Sequence, residues 1–297
     1  MISEKAAELE KAGMITDALV TDYNDDGKPD LVICGEWMAI SYFTNIAGNL
    51  VNETAKYGNP EQIGWWFSLA ENDINTDGKK DIIAGNIGAN NKYHPSIEKP
   101  LKILFNDFDN NGTEDIYLTT QYKGKEVPVR GRECSSQQMP FIQDKFTTYN
   151  AYAQANINQI LGAENVKNAI SYAATEFHHC IFMNTDGNFK NFEYLPNQAQ
   201  VSPLRSMIFT DINKDGKEDL FAVGNLKDTE VETASYDAGI GFCALNKNAK
   251  LEPVSNLKSG FFSNGETREI IKLKLANGNT MLVVSKYDDN FETFTIK

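Results

Sequence analysis

Short apolar runs, each closed by polar, glycine-bearing text, dominate this chain. Ala18-Leu-Val-Thr, Ile103-Leu-Phe-Asn and Met207-Ile-Phe-Thr are β-prone and too short for helices. Leu31-Val-Ile-Cys, Ile82-Ile-Ala, Ile116-Tyr-Leu-Thr and Leu220-Phe-Ala-Val answer them after a polar loop. The pattern therefore predicts strand–loop–strand units. An EF-hand would need helical periodicity on both flanks, and none is present. The tail alternates in the same way through Arg268-Glu-Ile-Ile-Lys-Leu-Lys-Leu, Thr280-Met-Leu-Val-Val-Ser and Phe291-Glu-Thr-Phe-Thr-Ile, but carries no such loop. Helical text is confined to the middle: Ser135 and Ser136 are placed to cap Met139–Phe146, and Tyr149–Leu161 and Glu164–Ala174 follow, separated by Gly162.

The loops share one pattern, D-x-[ND]-x-[DN]-G-x-x-D, found as DYNDDGKPD from Asp22, DINTDGKKD from Asp73, DFDNNGTED from Asp107 and DINKDGKED from Asp211. Position 2 is always apolar or aromatic, and an aliphatic residue always follows position 9. Repeated strand–loop–strand units mark the blades of a β-propeller. The first aspartates are separated by 51, 34 and 104 residues, and the long gap holds the helical text. The expectation is an all-β propeller of about five recognisable blades, four with loops and one without, spanning 14–297 behind an extension at 1–13. A helical insertion is expected to leave one blade at 135–174.

The loop chemistry is that of a hard cation. Positions 1, 3, 5 and 9 present oxygen donors, position 7 a carbonyl, and the glycine at 6 a sharp turn, which suits the six to eight oxygens calcium prefers. The expected ligands are Asp22, Asn24, Asp26, Lys28 (carbonyl) and Asp30; Asp73, Asn75, Asp77, Lys79 (carbonyl) and Asp81; Asp107, Asp109, Asn111, Thr113 (carbonyl) and Asp115; and Asp211, Asn213, Asp215, Lys217 (carbonyl) and Asp219. An aspartate at position 9 stands where an EF-hand uses a glutamate at 12. Plain Asx turns need only two or three such residues, so the reading is up to four structural Ca²⁺.

This changes the meaning of the charge. The 28 basic and 41 acidic residues among 297 leave −13, which disfavours phosphate backbones and anionic membranes. Twelve of the acids are expected loop ligands, and four Ca²⁺ would bring −13 to −5. Much of the acidity thus concerns folding, and nucleic-acid binding is disfavoured more mildly than the bare number implies. No run reaches the ~18 apolar residues of a membrane span. The four cysteines, Cys34, Cys134, Cys180 and Cys243, lack CxxC spacing and are expected to be free, small core residues.

The loops resemble the FG-GAP/VCBS repeats of integrin-α-like propellers and of many secreted bacterial proteins. Gly64-Trp-Trp-Phe-Ser, Gly85-Asn-Ile-Gly-Ala-Asn-Asn-Lys-Tyr93, Met139-Pro-Phe-Ile-Gln-Asp-Lys-Phe146, Tyr149-Asn-Ala-Tyr-Ala153 and Thr229-Glu-Val-Glu-Thr-Ala-Ser-Tyr-Asp237 are similar to propeller segments of large bacterial VCBS-repeat proteins that carry an ASPIC/UnbV-like domain. The resemblance implies a periplasmic, outer-surface or secreted protein. The chain has neither the ASPIC/UnbV segment nor an export signal, so it is expected to be a propeller portion of a longer exported protein or a truncated reading frame.

Standard catalytic motifs are absent, and Gly239-Ile-Gly-Phe-Cys lacks the third glycine of a dinucleotide fingerprint. His178 and His179 point to opposite faces of a strand and do not chelate together. Glu230 and Glu232 are a nominal carboxylate pair, more simply read as an acidic loop. Trp65, Trp66, Tyr93, His94, Arg130 and Arg132 are the candidate ligand-binding residues, with packing between blades as the simpler role for the tryptophans. The expected function is a calcium-binding module for a protein or carbohydrate ligand; the alternative is a polysaccharide-acting enzyme or an accessory domain of one.

Overall fold

A computed structural model describes residues 2–229 and 233–296. Among these, twenty strands build five antiparallel sheets, and helices are few and short. The first sheet aligns Met14–Thr21, Asp30–Ala39, Ser41–Ile46 and Asn49–Asn52, with Ile63–Trp65 also pairing to Asp30–Ala39. The second aligns Ser68–Asn72, Asp81–Gly85, Cys180–Phe182 and Phe192–Tyr194. The third holds Ile170–Ala174, Leu101–Asn106, Asp115–Tyr122 and Lys125–Pro128. The fourth holds Leu204–Thr210, Asp219–Gly224, Phe242–Lys247 and Lys250–Pro253, and the last Thr267–Lys274, Thr280–Lys286 and Glu292–Ile296.

The chain divides into two compact units: the described residues up to Lys92 with those from Phe177 on, and Tyr93–Glu176. The smaller unit interrupts the second sheet after two strands, since Cys180–Phe182 returns to pair with Ile82, Ile83 and Ala84. The third loop-bearing sheet is therefore nested within the second. That nesting explains the uneven spacing: 34 residues reach into the insertion, and 104 include its remainder plus the second half of the interrupted sheet.

The expected helical insertion at 135–174 is redrawn accordingly. Helices occupy Arg132–Gln138, Phe141–Lys145, Tyr149–Gln154, Ile157–Leu161 and Ala163–Asn168, but Ile170–Ala174 is a strand bonded to Leu101–Asn106. Ser135 is no cap. It lies inside the first of these helices, where its buried hydroxyl accepts from Tyr117 Oη and contacts Tyr152 Oη at 2.8 Å each. Asn156 and Gln159 instead form a reciprocal capping box that breaks Tyr149–Leu161 in two. Leu104, Phe108, Tyr117, Met139, Ile142 and Ile160 form this unit's core between sheet and helices.

Three apolar clusters of the larger unit lie between consecutive sheets. Tyr42, Trp66, Ile82 and Phe182 join the first to the second; Ile83, Ile181, Leu204 and Leu220 join the second to the fourth; Phe221, Phe261, Ile270 and Leu282 join the fourth to the last. Asp81–Gly85 and Asp219–Gly224 are buried at every residue because both of their faces are covered, which is why their text is a continuous apolar run. The first strands of successive sheets also touch. The Leu69 amide donates to Asp17 Oδ2 at 2.7 Å, Ser68 Oγ to the Leu204 carbonyl at 2.8 Å, and Ser206 Oγ to Glu269 Oε1 at 2.6 Å. None of the four cysteines is in a disulfide among the described residues, and three are buried. Among the described residues no helix is long and apolar enough to cross a membrane.

Candidate metal centres

Each loop joins the first two strands of its sheet and folds through two left-handed residues, at positions 4 and 6: Asp25 and Gly27, Thr76 and Gly78, Asn110 and Gly112, Lys214 and Gly216. Glycine at position 6 takes φ between 80° and 90°, which L side chains seldom adopt. The turn aims backbone amides inward at the side chains. Position 1 receives the amides of positions 5 and 6 on its two oxygens, at 3.0 and 2.8 Å in the first two loops and 3.0 and 2.9 Å in the third. The fourth repeats the arrangement at 3.2 and 3.0 Å. The position-5 amide also donates to the side-chain oxygen at position 3, so oxygens from positions 1 and 3 gather on one N–H. Position 5 in turn accepts the amide of position 7.

The ninth residue is buried in every loop: Asp30, Asp81, Asp115 and Asp219. One oxygen of Asp81, Asp115 and Asp219 accepts the position-2 amide of its own loop, from Ile74, Phe108 and Ile212, at 3.0–3.1 Å. The other oxygen is held by a group from outside the loop. For Asp30, Asp81 and Asp219 this is the amide of Asn45, Asn184 or Asn246, at 2.7–2.9 Å. For Asp115 it is the side chain of Gln138 at 3.1 Å. Burial pushes the carboxyls of Asp30, Asp81 and Asp219 above the ordinary range; these amides oppose the shift, and the acids at positions 5 and 1 add to it. Asp30 differs from the rest in that its Oδ2 is buried without a hydrogen-bond partner among the described residues. The Tyr23 amide lowers its pKa as a nearby dipole without hydrogen-bond geometry to that oxygen.

The three asparagines form a second repeat, N-x-x-[GA]-x-[LF], at Asn45, Asn184 and Asn246. The side chains of Asn184 and Asn246 tie loops together, while Asn45 Nδ2 bonds the Pro29 carbonyl of its own sheet's loop. Asn184 Nδ2 reaches the Lys80 carbonyl of its own sheet's loop at 3.1 Å and the Tyr23 carbonyl of the first loop at 3.4 Å; Asn246 Nδ2 reaches the Ile74 carbonyl of the second loop at 3.1 Å. Tyr23 and Ile74 also bury their side chains in the clusters between those sheets. Loop geometry and packing between sheets are thus one structure.

The donor set fits a hard divalent cation. It consists of carboxylate, amide and carbonyl oxygens without nitrogen or sulfur. A carboxylate oxygen that accepts one N–H keeps a lone pair for a metal, and the unpartnered Asp30 Oδ2 keeps both. Asp107, Asp109 and Asp115 bring carboxylate oxygens within 4.8 Å of one another. In the other loops position 3 is asparagine, and Nδ2 of Asn75 and Asn213 donates to Asp77 and Asp215 at 2.9 Å.

The residues read as ligand-binding are divided between the two units. Trp66 is fully buried between the first two sheets. Trp65 is half-buried, with Phe177 at 4.6 Å and Trp37 at 5.2 Å between ring centroids. Tyr93, His94, Arg130 and Arg132 belong to the smaller unit, where Tyr93 and Arg130 are half-buried and His94 is exposed. Arg132 braces helix ends by donating to the carbonyls of Phe146 and Gln143, and it lies over the Tyr149 ring at 5.3 Å. Glu230 and Glu232 lie outside the described residues. His179 is fully buried; its Nδ1 accepts the Asn86 amide at 2.8 Å while Nε2 sits 3.0 Å from the Ser202 carbonyl. Burial pushes it down to about 3, so it is a neutral structural histidine. His178 stacks on Tyr194 at 4.2 Å.

No curated protein matches the chain. Residues 22–84, which hold the first two loops and the strands between them, are similar to the FG-GAP-like repeat family.

Proposed function

We propose that the chain is a calcium-stabilised β-propeller, with up to four Ca²⁺, that serves as a binding or scaffold module of an exported protein for a protein or carbohydrate ligand. The observation that carries this is the loop architecture: four copies of one oxygen-only donor set, each anchored by a buried aspartate whose outer oxygen is braced from beyond the loop. The likeness of residues 22–84 to an FG-GAP-like repeat supports the propeller, as do the first strands that touch from sheet to sheet. Bound calcium supplies positive charge where three carboxylates crowd. The residues that hold it are those at positions 1, 3, 5 and 9 with the carbonyl at 7. Extracellular calcium modules bind at ~10⁻⁴–10⁻³ M, which agrees with an exported setting.

The test is chelation. A site saturated a hundredfold above its Kd adds about 2.7 kcal/mol, and in a domain of this size each kcal/mol moves Tm by about 2–4 °C. EDTA is expected to lower Tm by at least ~5 °C and calcium to restore it, with calcium measured in the purified protein by elemental analysis. An unchanged melting curve and no co-purifying calcium would sink the reading.

A further inference from the structure

At the first strands of its four sheets the larger unit holds a cavity of about 470 Å³, whose lining includes Thr16, Asp17, Phe67, Arg205, Arg268 and Glu269. The strands are irregular at this place. Ile15 pairs with Gly35 but Asp17 with Cys34; Leu204 pairs with Gly224 but Ser206 with Val223; Thr267 pairs with Lys286 but Glu269 with Ser285. Thr16, Arg205 and Arg268 are therefore the extra residues of three β-bulges, a device that re-aims a side chain and is frequent beside binding sites. Glycine permits two of the bulges: a Cβ on Gly35 or Gly224 would stand 2.1 Å from the Met14 carbonyl or 1.7 Å from that of Pro203.

The two arginines are incompletely satisfied. Arg205 donates from Nε to the Asn225 carbonyl at 3.2 Å and stacks on the Phe67 ring at 4.9 Å. Among the described residues neither of its terminal nitrogens has a hydrogen-bond partner. Arg268 pairs through one terminal nitrogen with Glu266, while its Nε is buried without a partner among the described residues. Burial first and the neighbouring Arg268 second disfavour the charge on Arg205, while Glu266 and Glu36 favour it. The cavity's acids are fixed acceptors: Asp17 takes the Ala18 and Leu69 amides at 2.8 and 2.7 Å, and Glu269 takes the Ser206 hydroxyl at 2.6 Å. Beyond Gly35, Glu36 pairs across to Trp65, and the next residue, Trp37, holds φ at 61° against the Trp65 ring.

We infer that this cavity binds the carboxylate of a small polyhydroxylated ligand between Arg205 and Arg268. A planar carboxylate matches the guanidinium fork, the fixed acids accept from ligand hydroxyls, and the volume lies in the range of small-ligand pockets. The surrounding acids favour a monoanion over a dianionic phosphate. This deepens the reading of the chain as a binding module and is independent of the calcium loops, since the bulges stand at the strand ends remote from them.

The test is titration of the full chain with D-glucuronate, D-gluconate and D-glucose, followed by calorimetry and by ¹H–¹⁵N chemical shifts, in calcium and again in EDTA. Binding of glucuronate or gluconate is expected, with glucose at least tenfold weaker; the two acids separate a ring-form sugar acid from an open-chain hydroxy acid. Arg205→Met is expected to weaken binding at least tenfold. Arg268→Gln, at a more exposed arginine, is expected to do so as well, which keeps the test open if the first variant misfolds. Glucose binding as tightly as the acids, the absence of binding by either acid, or full affinity in both variants overturns the inference. The melting response to EDTA is read separately, so failure here leaves the calcium reading standing, and the reverse holds too.

Discussion

In the larger unit the buried aspartates Asp30, Asp81 and Asp219 are braced by backbone amides delivered by neighbouring strands. In the smaller unit Asp115 is braced by one side chain, Gln138, from the end of a short helix. The acids are also distributed differently. The third loop places aspartate at position 3 and asparagine at 5, and gathers three carboxylates within 4.8 Å; the other three reverse the pair. A main-chain brace is available from any residue once the sheet has formed, so the fold itself holds those loops. A side-chain brace depends on one residue and can be removed. The difference teaches that the loops share a sequence pattern but not a dependence on their surroundings.

The largest expected effect separates the buried anchor carboxylate of a loop, itself a proposed ligand, from the exposed carboxylates proposed to share the metal with it. Asp81→Ala leaves the buried amides of Ile74 and Asn184 without acceptors. At about 1–3 kcal/mol per buried unpaired group, the loss is ~4 kcal/mol, and it persists in EDTA because neither bond involves a metal. Asp77→Ala, in the exposed part of the same loop, is expected to cost below ~1 kcal/mol in EDTA and to abolish most of that loop's calcium-dependent gain. Urea denaturation of both variants with and without calcium measures this. Equal losses in EDTA break the distinction between buried anchor and exposed ligand.

The loops were legible in the sequence because their chemistry is local: nine residues carry the donors, the turn glycine and both flanking strands. The last sheet was legible too, since alternation from Arg268 to Ile296 needs no loop to be seen. What escaped was non-local. Nothing near Cys180 says that it pairs with Ala84 across an inserted unit, so the third loop read as the next blade rather than as nested text. Ile170–Ala174 read as helix because its alanines favour one, while pairing to Leu101–Asn106 decides otherwise. The asparagine repeat at 45, 184 and 246 was visible as text, but its meaning lies in backbone amides that carry no residue signature. The bulges at Thr16, Arg205 and Arg268 are register events, and a single sequence does not display register.

Acid sharpens the contrast between the units at intermediate cost. His179, in the larger unit, is lowered from 6.5 to about 3 by burial. The unfolded chain takes a proton below pH 6.5 that the folded chain refuses, so this stability is complete above that pH and is lost as pH falls toward 3. Between pH 7 and 5 the loss is ~2 kcal/mol. The raised carboxyls of Asp30, Asp81 and Asp219 act in the opposite sense, adding stability as pH falls into their range in the metal-free protein. The histidine contribution is therefore read as the difference between wild type and His179→Gln, whose amide can still accept from Asn86. Parallel pH curves for the two proteins would remove His179 as an acid-sensitive element of the larger unit.

The smallest effect addresses the side-chain brace directly. Gln138 Nε2 donates to Asp115 Oδ1 at 3.1 Å and to the Ile116 carbonyl at 3.2 Å, joining a helix end to the third loop. Gln138→Ala removes both bonds from a partly exposed position, so about 1 kcal/mol of stability is expected to go. The remaining Asp115 bond, from the Phe108 amide, fixes one oxygen but no longer the plane of the carboxylate. Groups that orient a metal ligand from behind are worth about 10–100-fold in affinity, so the third loop is expected to weaken at least tenfold for calcium while the other three keep theirs. A calcium titration then resolves one displaced site against three unchanged ones. If all four sites stay equivalent in the variant, the side-chain brace is dispensable, and the third loop is held by its own turn as firmly as the others are held by the sheets.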